Sequence, residues 1–337
     1  MRRVLLAIDV GGSTSRAHLV DPAGRCLGQG RNRGGNPASN TPEEAAAAII
    51  SAAEAAVADA GGGPFHIAVA LIALAGPQAH VALRQLEVAF GRMGLRGPIV
   101  FSGDLLAMFA SVTAASAGYC VVAGTGAGVV RIRDGEIERV VDAAGWLLGD
   151  FGSGYWLGHE AARAVAAELD GRGEATALTP ALLAALGIDA ADTRQLLGRP
   201  APLRHLIDAI YALRPIELAR FAPLVVARPK DPVARRLVAA AERHLADSFA
   251  LAFEPVVPGP IALGGGVISH LSGLPAALAD VVRSAGALPD IRPVADGSVG
   301  AIVLALRALD IAVDEARLAA IAASVVARRE EVAGRVP

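Results

Sequence analysis

Two stretches of this 337-residue chain carry the same short plan, and that repetition limits its architecture more than any other feature. In the first, the apolar run 4–10 reaches Gly11-Gly12-Ser13-Thr14-Ser15, becomes a second strand over 16–20, and turns at Asp21-Pro22-Ala23-Gly24. In the second, a run over 120–123 reaches Gly124-Thr125-Gly126, then a strand over 127–133 and a turn at Asp134-Gly135. Nine positions separate Gly12 from Asp21, and eight separate Gly126 from Asp134. The spacing predicts a weak internal duplication, with a boundary near Ala117 and two unrelated glycine hairpins as the alternative.

Between and beyond these blocks the pattern alternates. A helix is expected over 41–60, with Thr41 as N-cap, Pro42 at the first helical position and Glu44 three residues after the cap. Residues 67–74 and 98–101 read as strands, each leading into helix, with 105–115 the second of these. Such alternation predicts an α/β fold with a mixed sheet. Residues 151–253 read as mostly helical, 260–263 as a strand ending in Gly264-Gly265-Gly266, and 314–332 as a charged helix. The expected units are 1–117 and 118–337, the latter with a helical insertion over about 160–255.

Composition removes several functions. With 53% hydrophobic and 19% charged residues, the chain can fill two cores and is too apolar for disorder. Lys+Arg 31 against Asp+Glu 33 leaves a net charge of -2, without the basic excess that nucleic acid demands. A mean hydropathy of +0.47 and the charge-free stretch 105–130 raise the question of a membrane span. Ser111, Thr113, Ser116 and the glycines at 124, 126 and 128 break that stretch, so no membrane association is expected. The apolar run before Asp9 is too short for a signal peptide. Cys26 and Cys120 stand far apart, which excludes a disulfide framework or a Cys-rich metal centre within one chain and points to the cytoplasm.

Three glycine loops each follow a short apolar strand: Gly11-Gly12-Ser13-Thr14, Gly124-Thr125-Gly126 and Gly264-Gly265-Gly266. Without Cβ atoms, backbone N–H groups can close on an anion, and Ser or Thr adds a hydroxyl donor. Each loop alone could be a tight turn; together they suggest phosphate contacts from two sides of a cleft. GxxxxGK[ST] is absent and Lys230 is the only lysine, which excludes P-loop and protein-kinase chemistry. A strand follows Gly11-Gly12 where a dinucleotide fingerprint requires a helix. Asp9 beside the first loop is a candidate Mg²⁺ carboxylate or a turn cap. Asp104 after Phe101-Ser102-Gly103 is a candidate general base or a plain N-cap. Asp150, in a glycine-dense stretch with Trp146, and Asn36, after Gly34-Gly35, are candidate sugar-hydroxyl partners or turn residues. His159-Glu160 lacks a second histidine at i+4 and reads as helix surface.

Taken together, these blocks resemble the actin/hexokinase/Hsp70-type ATPase superfamily, within it the BadF/BadG/BcrA/BcrD branch and its N-acetylglucosamine kinase and glucosamine kinase members. The quoted segments are Asp9 to Thr14 (phosphate-1), Gly103-Asp104, Ala123 to Gly126 (phosphate-2), Leu147-Leu148-Gly149-Asp150-Phe151-Gly152-Ser153, Phe221-Ala222-Pro223-Leu224-Val225, and Leu263 to Gly266 (adenosine). The resemblance implies two ribonuclease-H-like, actin-like ATPase lobes with mixed sheets flanked by helices and a cleft that holds ATP and a sugar. It implies ATP and Mg²⁺ as cofactors and an amino sugar as substrate, with Asp104 taking the proton of its 6-hydroxyl. Gly11, Gly12, Ser13, Thr14, Gly124, Thr125 and Gly126 would meet the phosphates, Asp9 the Mg²⁺, Gly264, Gly265 and Gly266 the adenosine. Gly35, Asn36, Asp104, Gly145 and Asp150 would meet the sugar. A homodimer is one assembly compatible with it. The amino-sugar kinases carry Asn-Asp where this chain has Gly103-Asp104, and a glutamate where it has Phe151, so glucosamine and N-acetylglucosamine both stay open. An activator-type nucleotide switch without sugar phosphorylation is the competing reading. The cluster-bridged activators need two placed cysteines per subunit, and Cys26 and Cys120 read instead as small apolar fillers.

Overall fold

The structure, a computed structural model, describes every residue except 13, 37–39, 62–63, 75–80, 258 and 335–337. The first half contains β1 (Arg2–Val10), β2 (Thr14–Val20), β3 (Cys26–Arg33), α1 (Pro42–Asp59), β4 (Phe65–Leu74), α2 (Leu83–Arg92), β5 (Ile99–Gly103) and α3 (Asp104–Ala110). Its five strands form one sheet in the order β3-β2-β1-β4-β5. The hairpin strands pair antiparallel, while β4 and β5 run parallel to β1. Val4 to Ile8 are fully buried, which is why β1 reads as an unbroken apolar run, covered on both faces. Thr41 and Glu44 close a capping box on α1, with Pro42 in the first turn.

The second half begins with β6 (Gly118–Ala123), β7 (Ala127–Arg133) and β8 (Glu136–Asp142). Helices α4 (Gly154–Leu169) and α5 (Leu178–Ala185) follow, then a short hairpin of β9 (Gln195–Leu196) and β10 (Arg199–Pro200). After α6 (Ala201–Tyr211), α7 (Ala222–Val226) and α8 (Pro232–Ala252) come β11 (Ile261–Gly264), α9 (Leu274–Ser284) and β12 (Ile291–Pro293). The second sheet is ordered β12-β11-β6-β7-β8, with β6-β7-β8 antiparallel and β11 and β12 parallel to β6. Reversed, this is the order and sense of the first sheet, so the repeated glycine hairpins are the opening strands of two equivalent sheets.

The chain ends with α10 (Ser298–Arg307) and α11 (Glu315–Ala333), which return to the first sheet. Ile302, Val303 and Leu306 of α10 and Ile321 of α11 share a core with Leu5, Val69 and Leu71. A division at 117/118 assigns both helices to the second unit by sequence, whereas their packing is with the first sheet. Helix α3 ends at Ala110 and touches both halves: Phe109 packs with Cys120, Val130, Ile132 and Ala262 of the second sheet. On its other side α10 lies close, since a Cβ on Gly300 would stand 1.6 Å from the Ala107 carbonyl oxygen. Both chain crossings, 111–117 and 294–297, therefore flank the same helix pair. Both cysteines are buried and free. No helix among the described residues is long and apolar enough to cross a membrane.

Candidate active site

The β1–β2 hairpin is closed by a bond from the Gly11 N–H to the Thr14 carbonyl at 2.9 Å. Nothing lies within 4 Å of a Cβ built on Gly12, so the tip presents bare backbone. Arg31 Nη2 stands 3.5 Å from Thr14 Oγ1. Ser13 lies outside the described residues.

The equivalent β6–β7 loop is tightened by Gly124 N–H donating to Gly126 O at 2.9 Å. The first turn of α4 is pinned to it: Gly154 N–H donates to Gly124 O at 2.7 Å, and Tyr155 N–H to Thr125 O at 3.1 Å. Ser153 caps that helix by accepting from Trp156 N–H. Asp150 sits behind this loop with a left-handed φ of 59°. Its Oδ1 accepts from Ala127 N–H at 3.2 Å, and a Cβ on Gly126 would stand 3.0 Å from its Oδ2. Burial first, and then Asp142, push the Asp150 carboxyl above its ordinary range, against its bonds to the Ala127 and Gly145 backbones. Asp142 in turn accepts from the N–H groups of Asp150 at 2.7 Å and Phe151 at 2.9 Å. The two aspartates thus staple the loop 143–152, Gly145 included, between β8 and α4.

The third glycine loop packs beside the second. Gly265 has φ +103, a Cβ there would stand 2.3 Å from Ala123 O, and Val267 N–H donates to that carbonyl at 2.9 Å. A cavity of about 420 Å³ opens alongside, lined by Thr125, Gly154, Ala219, Pro223, Gly266 and His270 among others. Small and apolar walls bordered by backbone amides suit a planar heterocycle joined to an anion. Ala222 and Pro223 of the 221–225 segment belong to this wall, while Phe221 is buried beneath it.

Two carboxylates converge from the first sheet. Asp9 ends β1, and its side chain is 18% exposed. No described residue donates a hydrogen bond to it, and its nearest cation is Arg16, with Nη1 3.8 Å from Oδ2. Burial pushes Asp9 up to about 6; Arg16 opposes the shift, and Asp104 and Asp296 add to it. Asp104 opens α3 directly after β5, and its Oδ1 accepts from Leu105 N–H at 2.9 Å. Burial raises its carboxyl also, partly offset by that bond. Gly103 rather than Asp104 occupies the N-cap, so the Asp104 carboxylate stands in the first turn of α3 and accepts from its backbone N–H groups.

Among the described residues, no group of three or more His, Cys, Asp and Glu is placed to hold a metal. A half-buried carboxylate without a hydrogen-bond donor nevertheless fits a hard cation that takes one protein oxygen and fills its remaining positions with phosphate and water, as Mg²⁺ does. Gly35 follows β3 and stands against Ser15 and Val10, and the Asn36 carbonyl accepts from Asn40 Nδ2 at 2.9 Å. The structure thus joins Asp9 with Asp104, and Thr125 with Gly266, and it seats Asp150 against Gly126. Sequence reasoning missed Arg16 and Asp296. Arg16 could have been found, because it is the cross-strand partner of Asp9 in the hairpin; Asp296 gives no local signal.

A search of curated proteins found no match to this chain. Among solved structures, a provisionally named N-acetylglucosamine kinase from Chromobacterium violaceum is 26% identical, with a TM-score of 0.68 over 90% of this chain and 99% of that one. A second protein with the same provisional name, from Porphyromonas gingivalis, is 21% identical, with a TM-score of 0.62 over 90% and 99%. Their shared architecture is the two-lobed α/β fold of actin-like ATPases, with a mixed five-stranded sheet in each half here. The BadF/BadG/BcrA/BcrD ATPase family model matches residues 6–305, nearly the whole chain, and the protein belongs to that family.

Proposed function

We propose that the protein is an ATP-dependent amino-sugar kinase that transfers the γ-phosphoryl group of ATP to the 6-hydroxyl of glucosamine or N-acetylglucosamine. One observation carries the reading: the half-buried Asp104 carboxylate opens α3 beside Asp9, held by the backbone N–H groups of Leu105 and of Asp104 itself. A nucleotide switch needs Asp9 and the glycine loops; it has no use for a second half-buried carboxylate at that place. The likeness to the Chromobacterium violaceum protein supports the same reading.

In this mechanism Asp104 accepts the proton of the sugar hydroxyl as the new O–P bond forms and the bond between the γ-phosphorus and the bridging oxygen of ADP breaks. A carboxyl raised by burial is a stronger base than one in water, and the positive end of α3 helps keep it ionised. Gly11, Gly12, Ser13 and Thr14 are assigned to the phosphates on one side, and Gly124, Thr125 and Gly126 on the other. Gly264, Gly265 and Gly266 flank the adenosine. Asp9 would hold Mg²⁺, which when bound neutralises phosphate charge. Gly35, Asn36, Gly145 and Asp150 are assigned to the sugar. Asp150 has a further duty, because its carboxylate also braces Gly126 and Ala127.

The test is coupled ADP release with ATP and Mg²⁺ against glucosamine, N-acetylglucosamine, N-acetylmannosamine and glucose, each beside a control without sugar. Release that depends on one amino sugar is expected. Equal release with and without every sugar refutes the kinase reading and favours the nucleotide switch.

A further inference from the structure

A line of polar contacts, buried at one end and separate from the glycine loops, ends at the edge of this site. Asp296 lies in the crossing 294–297 between β12 and α10. Its Oδ1 accepts from Ser298 N–H at 3.0 Å and from Ser298 Oγ–H at 2.6 Å, and its Oδ2 pairs with Arg329 of α11. Burial favours the neutral acid, but these donors outweigh it and hold the Asp296 carboxyl below its ordinary range. On the far side, His18 Nε2 is 2.9 Å from Ser298 Oγ, and His18 Nδ1 is 3.7 Å from Cys26 Sγ. An ionised carboxylate only accepts, so Ser298 spends its proton on Asp296 and takes one from His18 Nε2. His18 and Ser298 are 2% and 0% exposed, so water does not compete for these bonds.

Asp296 also faces Arg16, whose Nη1 lies 4.0 Å from Asp296 Oδ1 and 3.8 Å from Asp9 Oδ2. Neither distance is a hydrogen bond. The guanidinium is divided between two anions and closes on neither. Gly297 lies beside the same carboxylate, since a Cβ there would stand 3.8 Å from Asp9 Oδ2.

We infer that Asp296 is a positioning residue for phosphoryl transfer: it draws Arg16 away from Asp9 and leaves the Asp9 oxygens open to a cation, while Ser298 and His18 lock it in place. The inference rests on the assignment of Asp9 proposed above. With Asp296 neutral, Arg16 has one carboxylate left and forms a close charge-assisted pair with it, in competition with Mg²⁺.

Asp296→Asn and Ser298→Ala test this, with thermal unfolding as the check on folding. In sugar-dependent turnover, the half-saturating Mg²⁺ concentration is expected to rise about tenfold for Asp296→Asn, while the sugar KM stays within twofold. A smaller rise, about two- to fourfold, is expected for Ser298→Ala, which keeps the charge and the backbone bond but loses the hydroxyl that ties Asp296 to His18. Long-range ¹H–¹⁵N NMR of the His18 ring, independent of turnover, should find the proton on Nε2 in the wild-type protein. An unchanged Mg²⁺ dependence in folded Asp296→Asn overturns the positioning role. A proton on Nδ1 overturns the lock, because Ser298 would then donate to His18 instead of Asp296. Should the wild-type protein show no sugar-dependent turnover, the kinase reading fails by itself. The same tenfold shift is then expected in the Mg²⁺ dependence of ATP binding by calorimetry, and its absence overturns the inference.

Discussion

Replacing Asp104 by asparagine exchanges a half-buried carboxylate for a neutral group of nearly the same shape. The asparagine carbonyl oxygen can keep the bond from Leu105 N–H, 2.9 Å in the native protein, so the start of α3 should not change. Burial is the main reason the Asp104 carboxyl is raised, so removing the charge removes a desolvation cost and the melting temperature should hold or rise. Asp9 and Cys120, both of which feel the Asp104 charge, should move toward their ordinary values. Only the proton acceptor is lost. A positioned general base is worth about 10²–10⁴-fold, equivalent to about 3–5 kcal/mol of activation free energy. The assay is coupled ADP release at saturating ATP and sugar, with ATP affinity measured by calorimetry without sugar. We expect turnover to fall by at least a hundredfold and ATP affinity to stay within about threefold. More than a tenth of wild-type turnover in Asp104→Asn would refute the base assignment, and an equal loss of ATP affinity would make Asp104 a nucleotide residue.

Other perturbations probe the frame around the site. Gly265→Ala places a Cβ 2.3 Å from Ala123 O at φ +103; we expect a loss of at least about 1–2 kcal/mol in urea unfolding together with weakened ATP binding. Phe109→Ala opens a cavity where α3 meets the second sheet, and should cost about 3–5 kcal/mol by urea midpoint, with the m-value unchanged. Burial holds His18 down at about 4, against 6.5 in an unfolded chain. Between those values the unfolded chain binds more protons, so His18 lowers stability as pH falls from about 6.5 to about 4, by roughly 3 kcal/mol in all. His18→Asn should therefore lose less stability than the wild-type protein between pH 7 and pH 4.5, and an identical loss would show that His18 is not the group responsible.

Much of the scaffold was legible because it is written in short-range chemistry. The capping box of α1 needs only Thr41, Pro42 and Glu44 in order, and it forms as expected. Buried central strands such as β1 betray themselves as unbroken apolar runs, and each glycine loop follows the strand that precedes it in sequence. The duplicated hairpins are visible because their turns recur at nearly equal spacing, and they open two sheets of equivalent order. Helix α3 ends earlier than its Ala/Leu run suggests, since residues 111–117 turn to cross between the sheets.

The candidate site was only half legible. Asp9 and Asp104 stand at strand ends, where α/β folds place their chemistry, so the chain order alone points to them. The sequence singled out Asp150 as a candidate sugar partner, but not as a brace behind Gly126, because the left-handed turn that aims its carboxylate is set by Asp142 binding the amides of Asp150 and Phe151.

What the amino-acid order determined by itself is therefore local: which segments are strands or helices, where backbone is bare enough to meet phosphate, and which carboxylates end strands. The tertiary structure alone decided that α10 and α11 return to the first sheet, and so that Ser298 meets His18 across 280 positions and Asp296 meets Arg16. The reason is physical. Periodicity, capping and turn chemistry act over a few residues, whereas a contact between distant side chains depends on how whole apolar faces pack, and one polar residue carries no mark of the partner that packing will bring to it.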